Sequence, residues 1–304
     1  MRKRGWALLP VLVALTLIAA ACGDDDETDS AQTQDTTGTT IARPQFAAGT
    51  TMANLQAKGR VVVGTKFDQP GLGQKNPTTG KVEGFDVEIA KLIAMGIYGG
   101  SLNDIESKIE FRESTTPNRE AFIENGTVDM VVATYTINDA RKQRIDFAGP
   151  YYIAGQDIMV KREDNSIRGV NDLAGKNVCS VRNSTPAANL ERMAPEANLT
   201  LFDQYSDCVQ AMRDGRVQAV STDNSILLGF VASSPNEFKI VGNKFTDEPY
   251  GIGIKKGDTA FRDFINDRLE EIYANGQWAQ AFARTLGPLG IQTPTPPPVD
   301  RYAA

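Results

Sequence analysis

Between residues 60 and 286, short apolar runs alternate with stretches in which apolar side chains return every three or four positions. Such alternation marks strands exchanging with amphipathic helices. Residues 61–63, 109–111 and 130–133 read as strands, and Met130-Val131-Val132-Ala133 is continuous enough to be covered on both faces. Phe85, Ile89, Leu92 and Ile93 share one helical face, and another helix is predicted from near Pro117 to near Gly126. A second series follows: strands at 178–181, 199–202 and 217–220, with helices from Pro186, through Cys208 and Met212, and over 225–231. This βαβ repetition predicts an α/β fold with mostly parallel, doubly wound sheets. Two series, each with its own core, predict two lobes.

Polar groups recur where these strands end. Lys66 follows 61–63 after Gly64 and Thr65; Thr134, Tyr135 and Thr136 follow the third strand; Arg182, Ser184 and Thr185 follow 178–181; Asp223 follows 217–220. Ligands of open α/β sheets bind beyond the carboxyl ends of the strands. Thr134 and Thr136, with Arg141 just after the helix starters Asn138 and Asp139, make a hydroxyl pair and a guanidinium suited to a carboxylate. Taken alone, a helix cap followed by a solvated Arg accounts for that segment; the recurrence argues for a site. Thr116-Pro117 and Thr185-Pro186 each read as an N-cap followed by Pro at the first helical position, and open helix N-termini donate to anions. Arg119 and Arg141 fall in first turns, against the helix dipole by about 0.3–1 kcal/mol each. A bound anion nearby turns that conflict into complementarity.

The ends change the picture. Arg2, Lys3 and Arg4 precede an apolar run over 6–21 and then Cys22, the layout of an export signal covering 1–21. The run is short for a spanning helix and no stop-transfer pattern follows. Ile18-Ala19-Ala20-Ala21-Cys22 is similar to a bacterial lipobox, with Ala19 where Leu is usual, so Cys22 is the expected lipidation site and membrane anchor. Residues 22–48, acidic and then rich in Thr, Gln and Gly, read as a flexible tether; 288–304, rich in Pro, read as an extended tail. About 240 residues remain for the body. A net charge of −6 without a basic, aromatic-interleaved stripe argues against nucleic acid. Cys179 and Cys208 are left as an even pair in an oxidising compartment, and a disulfide between them closes a loop worth on the order of 3–4 kcal/mol; two buried thiols are the alternative. The chain has no His, which removes the commonest general base and most zinc sites. It has no phosphate-binding loop ending in Lys-Ser/Thr, and no cofactor is implied.

Taken in order, Gly84-Phe85-Asp86-Val87, the Thr134 to Arg141 segment, Phe147-Ala148-Gly149-Pro150-Tyr151-Tyr152 and Asp223 resemble the family 3 solute-binding proteins of polar amino-acid ABC transporters. The likeness covers 60–286. Gly64-Thr65-Lys66-Phe67-Asp68-Gln69-Pro70-Gly71, Arg119 and the Cys179/Cys208 pair are most similar to actinobacterial glutamate-binding lipoproteins and related aspartate/glutamate binders. The resemblance implies a type II periplasmic-binding-protein-like clamshell, with lobe 1 built from 49–153 and 247–287, lobe 2 from 154–246, and hinges near 151–156 and 246–250. The helix with Phe261, Phe264, Ile265 and Leu269 then returns to lobe 1 as core, as does Trp278. It further implies that Arg141 clamps the ligand α-carboxylate, helped by Thr136 and the backbone at Thr185 and Pro186. Asp223 is expected to hold the α-ammonium. Lys66 and Arg119 are expected at the side-chain carboxylate of an acidic amino acid, with Thr134 and Tyr250 as hydroxyl partners. Three cations against Asp223 suit two carboxylates and one ammonium. A monomer that delivers L-glutamate or L-aspartate to a permease and its ATPase subunits is the expectation; an amino-acid-sensing lipoprotein feeding a membrane signalling partner has the same pocket. Some relatives of this fold are dehydratases, but no acid–base pair is left over here, so no enzyme is expected.

Overall fold

The structure, a computed structural model, describes residues 40–302. The export signal, Cys22 and most of the expected tether lie outside the described residues. Helix α1 (Thr51–Lys58) leads into β1 (Val61–Thr65), then a small antiparallel sheet of β2 (Asp68–Gln69), β3 (Gly73–Lys75) and β4 (Val82–Glu83). Next come α2 (Phe85–Tyr98), α3 (Leu102–Ile105), β5 (Ile109–Glu113), α4 (Arg119–Glu124), β6 (Met130–Val131), α5 (Asp139–Lys142) and β7 (Ile145–Ala154). The second series holds β8 (Gln156–Lys161), β9 (Asn177–Val181), α6 (Thr185–Met193), β10 (Asn198–Phe202), α7 (Tyr205–Arg213), β11 (Ala219–Asp223), α8 (Asn224–Ser233) and β12 (Phe238–Ile240). Strand β13 (Glu248–Lys255) and helices α9 (Thr259–Ala274) and α10 (Gln277–Thr285) complete the order.

Two five-stranded sheets result, ordered β5-β1-β6-β13-β7 and β10-β9-β11-β8-β12. Each has a parallel trio and an antiparallel pair, because β13, β7, β8 and β12 run against their neighbours. The expectation of mostly parallel sheets therefore needs this correction: the strands that carry the chain between lobes cannot also join the βα crossovers that make strands parallel. Strand β7 ends at Ala154 and β8 begins at Gln156, with Gly155 between. A Cβ on Gly155 would stand 2.6 Å from the Thr246 carbonyl oxygen of the returning segment, so the two crossovers touch. The molecule is a two-lobe clamshell.

Phe85, Tyr151, Tyr152, Trp278 and Phe282 pack in edge-on and tilted pairs at the heart of lobe 1, and Trp278 Nε1 donates to the Tyr151 carbonyl at 2.8 Å. Phe261, Ile265 and Leu269 of α9 are buried in the same lobe, whereas Phe264 is half-buried against Phe46. That contact moves one expected boundary. Residues 41–48 are not free tether: Ile41 bridges Gly100 and Phe46 packs on Phe264, since this stretch carries apolar anchors that the acidic part lacks. The Pro-rich tail is extended but docked, with Asp300 N donating to Gly149 O and Phe147 N donating to Tyr302 Oη. In lobe 2, Cys179 of β9 and Cys208 of α7 form the disulfide.

Candidate functional site

The segments that follow β5 and β6 in lobe 1 face the carboxyl ends of β9 and β11 in lobe 2 across a narrow polar cavity. Thr116, Arg119, Thr134 and Thr136 line it from lobe 1; Ser184, Thr185, Pro186, Tyr205, Thr222, Asp223 and Ile226 line it from lobe 2. Six of the nine residues expected to touch a ligand are therefore on its wall. Lys66 and Tyr250 stand directly behind it: Lys66 Nζ donates to Thr116 Oγ1 at 2.7 Å, and Tyr250 Oη donates to Asp223 Oδ2 at 2.6 Å. Arg141 instead lines a wider depression at the outer edge of the cleft, with Glu120, Asn183 and Arg144. Arg182, although it follows a strand end, is exposed and paired with Asp203.

The lobes meet around this cavity. Backbone N–H groups of Tyr205 and Ser206 donate to Asp68 Oδ2 at 3.0 and 3.2 Å, and Gln204 Nε2 donates to Glu113 at 2.8 Å. Gly229 of α8 sits against Pro70, whose carbonyl oxygen would lie 2.2 Å from any Cβ placed there; only glycine permits that approach.

Arg119 is buried with its guanidinium 4.1 Å from the Tyr135 ring. Its Nη1 donates to the carbonyls of Ala133 and Thr134 at 3.0 and 3.3 Å, while Nε has no partner. Arg141 is fully engaged: Nη1 donates to Thr136 O at 2.6 Å, Nη2 crosses the cleft to Asn183 O at 3.1 Å, and Nε stands 3.4 Å from Glu120. Burial, and then Arg119, push its pKa down to about 10. Lys66 is pushed down to about 7, first by burial and then by Arg119. Among the described residues neither Lys66 nor Arg119 has a carboxylate at ion-pair distance.

Thr134 has a left-handed backbone, with φ of 45°, a conformation that costs a β-branched residue about 1–3 kcal/mol. Asp86 holds it there by accepting the Thr134 N–H at 2.8 Å and the Tyr151 hydroxyl at 2.7 Å. Burial pushes Asp86 up to about 6. Asp223 closes β11 and stands at the N-cap of α8, yet its side chain caps nothing. Its Oδ1 is buried without a partner. Burial, and then Glu248, push its pKa up to about 8.

Three sequence expectations need correction. The N-caps are Ser184, which accepts the Ala187 N–H at 3.0 Å, and Thr115, not Thr185 and Thr116. Capping is thus not the task of the latter hydroxyls: Thr116 Oγ1 accepts from Lys66 and Thr185 Oγ1 donates to Glu248, both at the cleft. Pro186 has no backbone N–H to give a carboxylate, and its carbonyl is taken by Gln156 Nε2 at 3.1 Å. The charge count of three cations against one acid omitted Asp86, Glu120 and Glu248, all gathered at the cleft. Asp86 was within the quoted Gly-Phe-Asp-Val motif. Glu120 and Glu248 had no signal beyond adjacency to Arg119 and to the second hinge.

Residues 61–288 match the family described as bacterial extracellular solute-binding proteins, family 3. The glutamate-binding protein GluB of Corynebacterium glutamicum is 41% identical over 235 residues, 75% of this chain and 79% of its own. The glutamine-binding protein of Geobacillus stearothermophilus is 38% identical over 259 residues, 84% and 95% of the two chains. Among solved structures, an ancestral arginine-binding protein bound to glutamine matches with a TM-score of 0.69 at 36% identity, over 75% of this chain and 98% of that chain.

Proposed function

The chain belongs to the bacterial extracellular solute-binding proteins of family 3, and from that premise we propose that it captures L-glutamate or L-aspartate between its lobes. It is an amino-acid solute-binding protein rather than an enzyme. One observation carries the acidic ligand: Lys66 and Arg119 are both buried, and among the described residues neither has a carboxylate at ion-pair distance. A buried cation without a counter-charge is costly, and a ligand side-chain carboxylate relieves both at once. Asp223, with a free buried oxygen on the opposite wall, receives the α-ammonium. Arg141 receives the α-carboxylate by exchanging one of its carbonyl or Glu120 contacts. The ligand then bridges both lobes and favours the closed clamshell by its differential affinity. Lipid anchoring through Cys22 and delivery of the ligand to a permease complete the reading; the relatives named for glutamate support its acidic side, those named for glutamine a neutral ligand.

A thermal-shift panel of the twenty amino acids tests it. Glutamate or aspartate is expected to raise the melting temperature most, because a ligand that binds only the native state stabilises it by mass action. A shift with glutamine and none with either acid reassigns the pocket to the neutral amide.

A further inference from the structure

Glu248 opens β13 where the chain re-enters lobe 1, paired in register with Ala154 at the other crossover. Its side chain is buried, and four neutral donors converge on it. Oε2 accepts from Thr136 Oγ1 at 2.8 Å and Thr185 Oγ1 at 2.6 Å; Oε1 accepts from Thr246 Oγ1 at 2.9 Å and Asn189 Nδ2 at 3.1 Å. Thr136 belongs to lobe 1, Thr185 and Asn189 to lobe 2, and Thr246 to the crossover itself. The carboxylate therefore has its full set of donors only when the lobes are together.

A threonine hydroxyl carries one proton and two lone pairs. Thr185 Oγ1 also stands 3.3 Å from Thr136 Oγ1, a longer contact than either makes to Glu248; with both protons held on that side, the two hydroxyls turn acceptor lone pairs toward the cavity that they line. Acceptors suit an ammonium and repel a carboxylate. Asp223, whose buried Oδ1 has no partner, lines the same cavity. We propose that Glu248 is the positioning residue of this site: it fixes the two hydroxyl protons on closure, so that Thr136, Thr185 and Asp223 together make an ammonium subsite. The hydroxyl of Thr136 is thereby reassigned from the ligand carboxylate to its ammonium. This deepens the amino-acid-binding reading and rests on it, but not on the acidic side chain, because every amino acid carries the α-ammonium.

Titration calorimetry on the full chain tests the assignment through a cycle of Glu248→Gln and the pair Thr136→Val with Thr185→Val, using L-glutamate and L-glutamine. Gln keeps the shape but puts an N–H donor where one acceptor stood, so one hydroxyl must turn. Glu248→Gln is expected to weaken binding about tenfold or more, the loss of a hydrogen bond to a charged group. In the double-Val background the same change is expected to cost less than about twofold, because the groups it acts through are gone. An equal loss in both backgrounds overturns the proposal, since a merely structural Glu248 needs no hydroxyls. Glutarate, the same dicarboxylate without an amine, gives a second readout that does not require Glu248→Gln to fold. Because Asp223 remains in it, the double-Val chain is expected to keep only part of its preference for L-glutamate over glutarate, reduced about tenfold or more, and an undiminished preference sinks the subsite. If the wild-type chain binds no amino acid, the reading of the whole cleft fails, and this assignment with it.

Discussion

The acidic-ligand reading rests on Lys66, just behind the cavity wall, and Arg119, on it: both are buried, and among the described residues neither has a carboxylate at ion-pair distance, Asp68 and Asp86 acting on Lys66 only from farther off. Lys66→Ala or Arg119→Ala is expected to cost about 2–5 kcal/mol of L-glutamate binding, typical of truncating one member of a buried charge pair. Calorimetry showing unchanged glutamate affinity in both variants removes the assignment. Proton exchange supplies an independent check. Unliganded Asp223 is pushed up to about 8 and Lys66 down to about 7. Near pH 6 Lys66 is already charged, so a ligand ammonium that ionises Asp223 releases a proton on binding. Near pH 8.5 Asp223 is largely ionised already, so a ligand side-chain carboxylate makes Lys66 take a proton up. Affinity for glutamate therefore rises with pH toward about 8 through Asp223 and falls above about 7 through Lys66, giving a maximum between them. Glutamine, with no charge for Lys66 to match, is expected to show the rise without the fall. Calorimetry in two buffers of different ionisation enthalpy reads the sign directly; uptake at both pH values contradicts the role given to Asp223.

At the scale of elements, the N-terminus of α7 is capped from the other lobe. Gln204 occupies the N-cap position without capping, and Asp68 of β2 takes the first two N–H groups in its place. The disulfide at Cys208 ties α7 to β9, so this contact pulls on lobe 2 as a body. An N-cap is worth about 0.5–2 kcal/mol, and here it exists only between closed lobes. Asp68→Ala is expected to weaken ligand binding about 2- to 30-fold, mainly through faster dissociation, with little change in unliganded melting. Unaltered dissociation in stopped-flow traces rules the latch out. Such a contact shows how far the sequence reaches. Helix faces such as Phe85, Ile89, Leu92 and Ile93, and the apolar run at Met130, were legible because burial imposes their period. The strand-end cluster was legible because the sheet geometry dictates where ligands go. Ser184 was passed over for Thr185 since either residue caps a helix equally well by type, and only backbone geometry chooses between them. Glu248 and Asp68 were illegible for a deeper reason: their partners come from the other lobe, far away in the chain, and no local pattern encodes that.

For the molecule as a whole, both described ends are fastened to lobe 1, and lobe 2 is held by the two crossovers, the cleft contacts and its own core. Ile41 bridges Gly100 on one side. On the other, Asp300 N and Tyr302 Oη bond to Gly149 O and Phe147 N along β7, the edge strand of the lobe 1 sheet. Lys142 and Arg262 stand 4.1 and 4.9 Å from the Tyr302 ring, and Arg301 pairs with Asp267 and Glu270 of α9. The tail thus covers hydrogen-bonding groups on an edge that otherwise invites pairing with another chain. Truncation after Thr293 removes these two hydrogen bonds at about 0.5–1.5 kcal/mol each and two cation–π contacts at about 0.5–1 kcal/mol each, so a loss of about 3 kcal/mol is expected in denaturant melts. Exposed surface ion pairs such as Arg301 with Asp267 add little to that sum. Because none of these residues lines the cleft, glutamate affinity of the folded fraction is expected to stay within about twofold. A truncated chain with full stability assigns the strap no structural weight. One with normal stability but weakened binding means that the β7 edge, and through Lys142 the helix bearing Arg141, reports to the ligand site.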